Sequence, residues 1–200
     1  IIVQKKIAER FIPAFCKAAS TLLIGPGRSS ARVFMGPLIN DQAVEAVLKF
    51  QKDLHKAGGR VLVEAAAMDE PGSFISPGVA EVDRFTLERD CEVFGPFAQI
   101  AIVNDLDEAI AQANASQYGL AASIFTTNDA DYERFFRECR SGCINRNNGT
   151  AGASSKLPFG GVKHSGNHRP AGAFSVDYCA YPVANMIEQS SDVAIPVGVQ

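Results

Sequence analysis

The sequence of 200 residues lacks any apolar run near the length of about 18 residues that a membrane-spanning helix needs. It also lacks an excess of charge, because 19 Lys and Arg face 22 Asp and Glu and leave a net charge of −3. A mildly acidic chain presents no strong field to nucleic acid or to an anionic membrane surface. We therefore expect no nucleic-acid partner and no membrane partner.

Cysteine is sparse and scattered, which bears on both disulfides and metals. The five cysteines are Cys16, Cys91, Cys139, Cys143 and Cys179. An odd number at wide spacing is not typical of a disulfide framework, and no CxxC pair accompanies the three histidines. The pattern predicts reduced thiols in a cytoplasmic protein and no metal site.

The composition that is present is that of a folded domain. Hydrophobic residues make up 46% of the chain and charged residues 20%, which argues against disorder. The length fits one sizeable domain, or one domain with a short arm. The amino-terminal residues show no signal-peptide pattern. Because they also lack an initiator Met, we interpret the chain as part of a longer protein, with removal of the first residues by processing as the alternative.

Helical patterns alternate with short apolar runs along most of the chain. The apolar spacing predicts a helix over 5–22. Further helices are predicted to begin at the capping residues Asn40, Asp105 and Asn128. Strands are predicted at 60–64, 77–82, 96–103, 120–126 and 143–145. This order favours the α/β class, with a mostly parallel twisted sheet and helices on both faces.

The last quarter of the chain departs from this regularity. Residues 147–173 contain six glycines and two prolines, and a long irregular segment in a regular fold is usually functional. Residues 176–183 carry apolar groups on both faces and include Pro182, which is typical of an edge strand. The tail after Glu188 is expected to be mobile.

Glu92 and Phe94 place a carboxylate and an aromatic ring just before the strand at 96–103. A carboxylate at this point can hold a sugar diol through two hydrogen bonds. A solvated acid beside the Gly95-Pro96 turn is the alternative interpretation.

None of the cysteines has the surroundings of a nucleophile. A reactive thiolate needs a positive or donor-rich setting, and the neighbour of Cys91 is the acidic Glu92. Cys16 and Cys139 lie on apolar helix faces and are predicted to be core residues. Cys143 and Cys179 fall in predicted strands and are assigned to the core as well.

Residues 158–166 are rich in glycine but lack the GxxxxGK[ST] spacing of a phosphate-binding loop. The segment indicates a chain that must pass close to something. His164, His168 and Arg169 make this region cationic, which suits an anionic substrate group. A solvated turn is an equally good interpretation from these residues alone.

Four segments together resemble the aldehyde dehydrogenase superfamily in their order and spacing. They are Met35–Ile39, Glu92–Pro96, Tyr118–Thr126 and Pro158–Gly166. Each segment alone is weak, but four in order within residues 1–188 are specific. The resemblance is to the carboxy-terminal part of such an enzyme, less than half of the whole.

Residues 165–170 and 177–184 add a likeness to one branch of that superfamily. The commoner family form is SGxGR, and here Asn167 and His168 replace its x-Gly pair. With this departure, the two segments resemble those of the bacterial enzymes that oxidise N-succinylglutamate 5-semialdehyde to N-succinylglutamate in arginine catabolism. The alternatives are another semialdehyde or pyrroline-carboxylate dehydrogenase of the superfamily, or a non-catalytic assembly domain with this fold.

The resemblance implies NAD as cofactor, a small-molecule aldehyde as substrate and a homo-oligomer. In the family a cysteine attacks the aldehyde, a hydride passes to NAD⁺, and water activated by a glutamate hydrolyses the thioester. Glu92 matches the carboxylate that holds the nicotinamide ribose hydroxyls, and Phe94 matches the aromatic beside the ring. For the distal carboxylates of the substrate we expect His168 and Arg169 first, and then Arg146.

The residues that perform the chemistry are expected outside this chain. No cysteine here lies in the family's G-Q-x-C segment, which comes before the position matching Ile1, and the activating glutamate is upstream too. We therefore assign no catalytic residue. Residues 1–175 are predicted to be the catalytic-domain portion, 176–188 an oligomerisation strand and 189–200 a tail.

Overall fold

The computed structural model describes residues 1–28, 32–152, 154–189 and 197–198. The helices are α1 (Lys5–Ser20), α2 (Asp41–Lys56), α3 (Leu106–Asn114), α4 (Asp129–Glu138) and α5 (Ser175–Tyr178). The strands are β1 (Ile2–Gln4), β2 (Arg60–Val63), β3 (Gly78–Val82), β4 (Phe97–Val103), β5 (Tyr118–Gly119), β6 (Ala121–Ile124), β7 (Cys143–Arg146), β8 (Pro158–Phe159), β9 (Val162–Lys163) and β10 (Ala171–Gly172). Within the described ranges, no helix has both the length and the apolar character needed to cross a membrane.

The main sheet has the strand order β1-β4-β3-β2, with β4 in its interior. β1, β4 and β3 run parallel, and β2 forms one edge, antiparallel to β3. β4 is almost wholly apolar because a strand covered on both faces has no side that meets water. The prediction of a mostly parallel sheet is confirmed, with β2 as an antiparallel edge.

Helices cover both faces of this sheet. Side chains alternate along a strand, so neighbouring residues point to opposite faces. In β3 and β4, Val79 and Ile100 form a core cluster with α1. Their neighbours Ala80 and Ala101 pack instead with Leu54 of α2. The predicted arrangement of helices on both faces is therefore confirmed.

A second parallel pair, β6 with β7, stands apart from the main sheet. Its core contains Ile110 of α3 together with Phe135 and Cys139, which α4 and its carboxy-terminal end contribute. One short antiparallel pair, β5 with β9, connects the segment before β6 to the glycine-rich region, and another, β8 with β10, lies within that region. The strands predicted around 120 and 143 therefore exist, but they form their own small sheet.

The predicted starts of three helices are confirmed by hydrogen bonds from backbone N–H groups to capping side chains. The pairs are Ala43 to Asn40, Glu108 to Asp105 and Ala130 to Asn128, each at 2.9 Å. The Glu108 carboxylate departs from the expected capping box, because it accepts the N–H of Asn104 instead of that of Asp105. Glu108 thus satisfies a backbone donor just before the helix.

The carboxy-terminal strand predicted for 176–188 is not formed in the single chain. Ser175–Tyr178 make the helical turn α5, and residues 179–189 have no regular secondary structure. A strand needs a backbone partner, and the described part of this chain offers none to it. Cys179 is exposed, so its assignment to the core is wrong. Of the predicted tail, 190–196 and 199–200 lie outside the described residues.

Candidate functional site

The loop that carries Glu92 and Phe94 is anchored to α2 through the alternate residues Val93 and Gly95. Val93 packs against a buried cluster that includes Val44 and Val47 of α2. Gly95 lies so close to Val47 that a side-chain carbon at this position would overlap it. Phe94, between these anchors, is 78% exposed, and Glu92, just before them, is exposed as well. The alternation therefore presents Glu92 and Phe94 on a backbone that is held in place.

The Glu92 carboxylate is exposed and free to accept hydrogen bonds. Among the described residues it has no ion-pair partner and no hydrogen-bond donor. Two tight turns shape the backbone beyond it, with the Gly95 N–H donated to the Val93 carbonyl at 3.0 Å and the Phe97 N–H to the Gly95 carbonyl at 2.8 Å. An unpaired carboxylate beside an exposed ring fits a ligand that has a diol next to a flat ring.

Asp90 ties the other end of this loop to the segment after α3. Its Oδ1 accepts the Ser116 hydroxyl at 2.8 Å, and its Oδ2 accepts the Gln117 N–H at 2.6 Å. The sequence pattern did not single out Asp90 as a functional residue. No local signal could have done so, because its partners lie 26 and 27 residues further along the chain.

The glycine-rich segment 158–166 passes close to its own neighbouring backbone. A side-chain carbon on Gly142 would overlap the carbonyl oxygen of Gly160, and one on Gly166 would overlap that of Gly161. The Ser165 hydroxyl also accepts the Gly119 N–H at 3.1 Å, beside the β5–β9 pairing. The expected close approach is therefore between parts of this chain, and the glycines permit it.

Lys163 is committed to this packing and is not a free cation. Its Nζ donates to the carbonyls of Asn114 at 3.2 Å and Ser116 at 2.7 Å, at the carboxy-terminal end of α3. Cationic side chains are favourable there because the last carbonyls of a helix lack partners. A cavity of about 320 Å³ opens beside Lys163, lined also by Gln117 and His164.

His168 and Arg169 remain exposed at the end of the glycine-rich region. The backbone of His168 is left-handed, with φ of 62°, the conformation that a glycine favours. The SGxGR form has its second glycine at this position, and glycine adopts this conformation at little cost. Asn167 supports the turn, because its Oδ1 accepts the Arg169 N–H at 3.0 Å. No ion pair engages Arg169 in the part of the chain that the structure describes.

Arg146, by contrast, is occupied by contacts around the start of α4. Its Nη1 donates to Asp129 Oδ1 at 2.6 Å, and its Nε donates to the Thr126 carbonyl at 3.3 Å. The guanidinium also lies over the Tyr132 ring, 5.3 Å from its centre. These contacts favour a structural role for Arg146 over the predicted substrate contact.

Cys16 and Cys139 have the surroundings of structural residues, whereas Cys91 and Cys179 are exposed. Cys139 is buried and Cys16 packs against the core cluster of α1, as predicted. Burial raises the pKa of both thiols, opposed in Cys16 by the charge of Arg60 and in Cys139 mainly by a hydrogen bond to Ser141. Groups of three or more metal-ligating side chains are absent from the described residues.

Comparison with known proteins adds a family to this geometry. The chain matches the model described as "Aldehyde dehydrogenase family" over residues 1–182. It is 42% identical over 186 residues to N-succinylglutamate 5-semialdehyde dehydrogenase of Legionella pneumophila strain Paris, covering 93% of this chain and 38% of that protein. It is 40% identical over 199 residues to N-succinylglutamate 5-semialdehyde dehydrogenase 1 of Caulobacter vibrioides, covering 100% and 42%. The chain thus spans about two-fifths of these relatives.

Solved structures share the fold. Betaine aldehyde dehydrogenase from Staphylococcus aureus in complex with NAD⁺ has a TM-score of 0.81 at 26% identity, over 89% of this chain and 36% of that one. Glyceraldehyde-3-phosphate dehydrogenase GapN from Methanocaldococcus jannaschii complexed with NADP has a TM-score of 0.77 at 29% identity, over 87% and 37%. The similarity extends through most of the chain, so the α/β architecture is that of these enzymes.

Proposed function

The chain belongs to the aldehyde dehydrogenase family, and from that membership we propose that it is part of an NAD-dependent enzyme that oxidises N-succinylglutamate 5-semialdehyde to N-succinylglutamate. The relatives from Legionella and Caulobacter, at 42% and 40% identity, support this substrate. The observation that carries the cofactor assignment is the unpaired Glu92 carboxylate beside the exposed ring of Phe94. The activity is assigned to the full-length protein, since the chain spans 38% of the Legionella relative.

Glu92 and Phe94 are the residues of this chain that would hold the cofactor. NAD⁺ supplies the two-electron oxidant when it is bound. The Glu92 carboxylate binds a ribose diol through two charge-assisted hydrogen bonds. Phe94 offers an apolar surface to the adjoining ring. Their common loop, packed through Val93 and Gly95, sets the separation of the two groups.

Glu92→Gln in the full-length protein should weaken NAD⁺ binding about tenfold, because the amide keeps the shape but loses the charge that strengthens both hydrogen bonds. The free energy of unfolding should change by less than about 0.5 kcal/mol, since the side chain is exposed. Titration of the dissociation constant and thermal melting measure the two effects. Glu9→Gln, an exposed glutamate of α1, serves as the matched control. Equal cofactor affinity in both variants would contradict the ribose assignment.

The substrate proposal rests on the exposed basic side chains at the end of the glycine-rich region. N-succinylglutamate 5-semialdehyde carries two carboxylates in addition to its aldehyde group. An arginine binds a carboxylate through two parallel hydrogen bonds. Arg169 is exposed and has no ion-pair partner among the described residues, and His168 precedes it. We assign these two residues to the distal carboxylates, with Arg146 a weaker candidate because Asp129 already engages it.

Arg169→Ala should lower kcat/KM for N-succinylglutamate 5-semialdehyde about tenfold while leaving a neutral aldehyde nearly unchanged, because only the first presents a carboxylate to the arginine. Arg146→Ala is the comparison, expected to reduce thermal stability and to affect both aldehydes alike. The assay uses full-length protein and NAD⁺ with a panel of semialdehydes and pyrroline-5-carboxylate. An equal loss on both aldehydes in Arg169→Ala would support a structural role. Wild-type preference for another member of the panel would overturn the substrate proposal.

Residues 176–188 are proposed to contribute to assembly of a homo-oligomer. Their apolar side chains are exposed in the single chain, with Tyr181 at 89% and Met186 at 96%. An exposed apolar segment of this kind is suited to burial against another element.

A cytoplasmic location fits the five cysteines, all of which are free thiols.

A further inference from the structure

We infer that Asp90 is a positioning residue for the cofactor-binding loop, acting through its two hydrogen bonds to Ser116 and Gln117. This inference rests on the proposed role of Glu92 in holding NAD⁺. Asp90 lies two residues before Glu92, at the point where the loop meets the segment after α3. Its role is to fix the position and direction of the backbone that leads to Glu92.

The contact is a fork in which each carboxylate oxygen has its own donor. Oδ1 accepts the Ser116 hydroxyl at 2.8 Å, and Oδ2 accepts the Gln117 N–H at 2.6 Å. The Ser116 oxygen in turn accepts the Tyr118 N–H at 3.0 Å. Hydrogen bonds to an ionised acceptor are about twice as strong as neutral ones, and two of them define an orientation as well as a distance.

Lys163 also holds the segment at Ser116 and Gln117 to which Asp90 is bonded. Lys163 donates to the carbonyls of Asn114 and Ser116, and its backbone pairs with Tyr118 between β9 and β5. Asp90 therefore links its loop to a point that the glycine-rich region already holds.

Glu92 lies between two such fixed points along the chain. Asp90 is tied to the Ser116 hydroxyl and the Gln117 N–H on one side, and Val93 packs against α2 on the other. Loss of the Asp90 contacts leaves the Glu92 backbone fixed only from the Val93 side. The carboxylate then has to be ordered when the ligand binds, which weakens binding.

Asp90→Asn in the full-length protein tests this role. Asparagine replaces one of the two carboxylate oxygens with an NH₂ group, so one arm of the fork loses its acceptor and the negative charge is lost. We expect NAD⁺ to bind about tenfold more weakly and the Gln117 amide to exchange its hydrogen faster. Asp105→Asn is the matched control, because Asp105 also accepts a backbone N–H at the other end of α3. It should leave cofactor affinity and Gln117 exchange unchanged.

A double-mutant cycle with Glu92→Gln separates positioning from general stability. If Asp90 acts through Glu92, Asp90→Asn should weaken binding less than about threefold in the Glu92→Gln background. Equal effects in both backgrounds would overturn the inference, as would unchanged affinity in Asp90→Asn. Unchanged affinity in Glu92→Gln alone would instead reject the proposed function. If Asp90→Asn fails to fold, Ser116→Ala is the milder variant: it removes one arm of the fork together with the acceptor of the Tyr118 N–H, and it should give a smaller loss in the same direction.

Discussion

The 200-residue chain on its own should show no oxidation of any aldehyde above the rate without enzyme. Attack on an aldehyde carbon needs a thiolate, and burial raises the pKa of Cys16 and Cys139. Cys91 is exposed, and its sulfur lies 3.9 Å from the Glu92 carbonyl oxygen, which is an acceptor and not the donor-rich setting of a nucleophilic thiol. The measurement is NADH absorbance with N-succinylglutamate 5-semialdehyde at high concentration. Full-length protein under the same conditions is the positive control.

The opposite result would have a clear signature. Turnover by the chain alone that disappears after thiol alkylation would show that one of its cysteines is a nucleophile. Cys91→Ser would then test the exposed thiol that precedes Glu92 in the sequence. Turnover that survives alkylation would reject cysteine chemistry for this chain altogether. Either outcome would overturn the assignment of no catalytic residue to the chain.

Gly142→Ala should destabilise the protein by about 4 kcal/mol or more, or prevent folding of the glycine-rich region. The added carbon would occupy the position of the Gly160 carbonyl oxygen. That backbone cannot easily move away, because β8 pairs with β10 on one side and β9 pairs with β5 on the other. Urea unfolding and amide hydrogen exchange within residues 158–166 measure the global and the local effect.

Gly36→Ala is the matched control for this substitution. An added carbon at Gly36 meets no atom within 4 Å, so its effect should stay within about 1 kcal/mol. If Gly142→Ala were as stable as Gly36→Ala and kept the wild-type exchange pattern, that result would contradict the close packing of Gly142 against Gly160. The spacing of the glycines would then need a reason outside the packing of this chain.

Local interactions explain which parts of this fold can be predicted from the residues. Asn40, Asp105 and Asn128 cap their helices through donors two or three residues away, so the signal lies within one turn. β4 is identifiable because burial on both faces requires an apolar run. The same reasoning fails at the carboxy terminus, where 176–188 has the composition of a strand but lacks a partner within the described chain.

The candidate site divides in the same way. Glu92 and Phe94 were identified because they lie together in the sequence, and the structure adds that both are exposed on an anchored loop. The sequence places Arg146 among the candidate substrate contacts because of its charge. Only the fold brings Asp129 and Tyr132 to it. Nothing in the sequence around Arg146 indicates that its charge is already paired.

Amino-acid pattern alone thus determined the α/β class, the helix starts, the buried strand and the segments that resemble aldehyde dehydrogenases. Tertiary structure alone decided that Asp90 holds Gln117, that Lys163 closes the end of α3 and that Gly142 faces Gly160. The physical reason is distance along the chain. Capping and periodicity act between residues a few positions apart, whereas these contacts join groups 18 to 49 residues apart and exist only once the chain has folded.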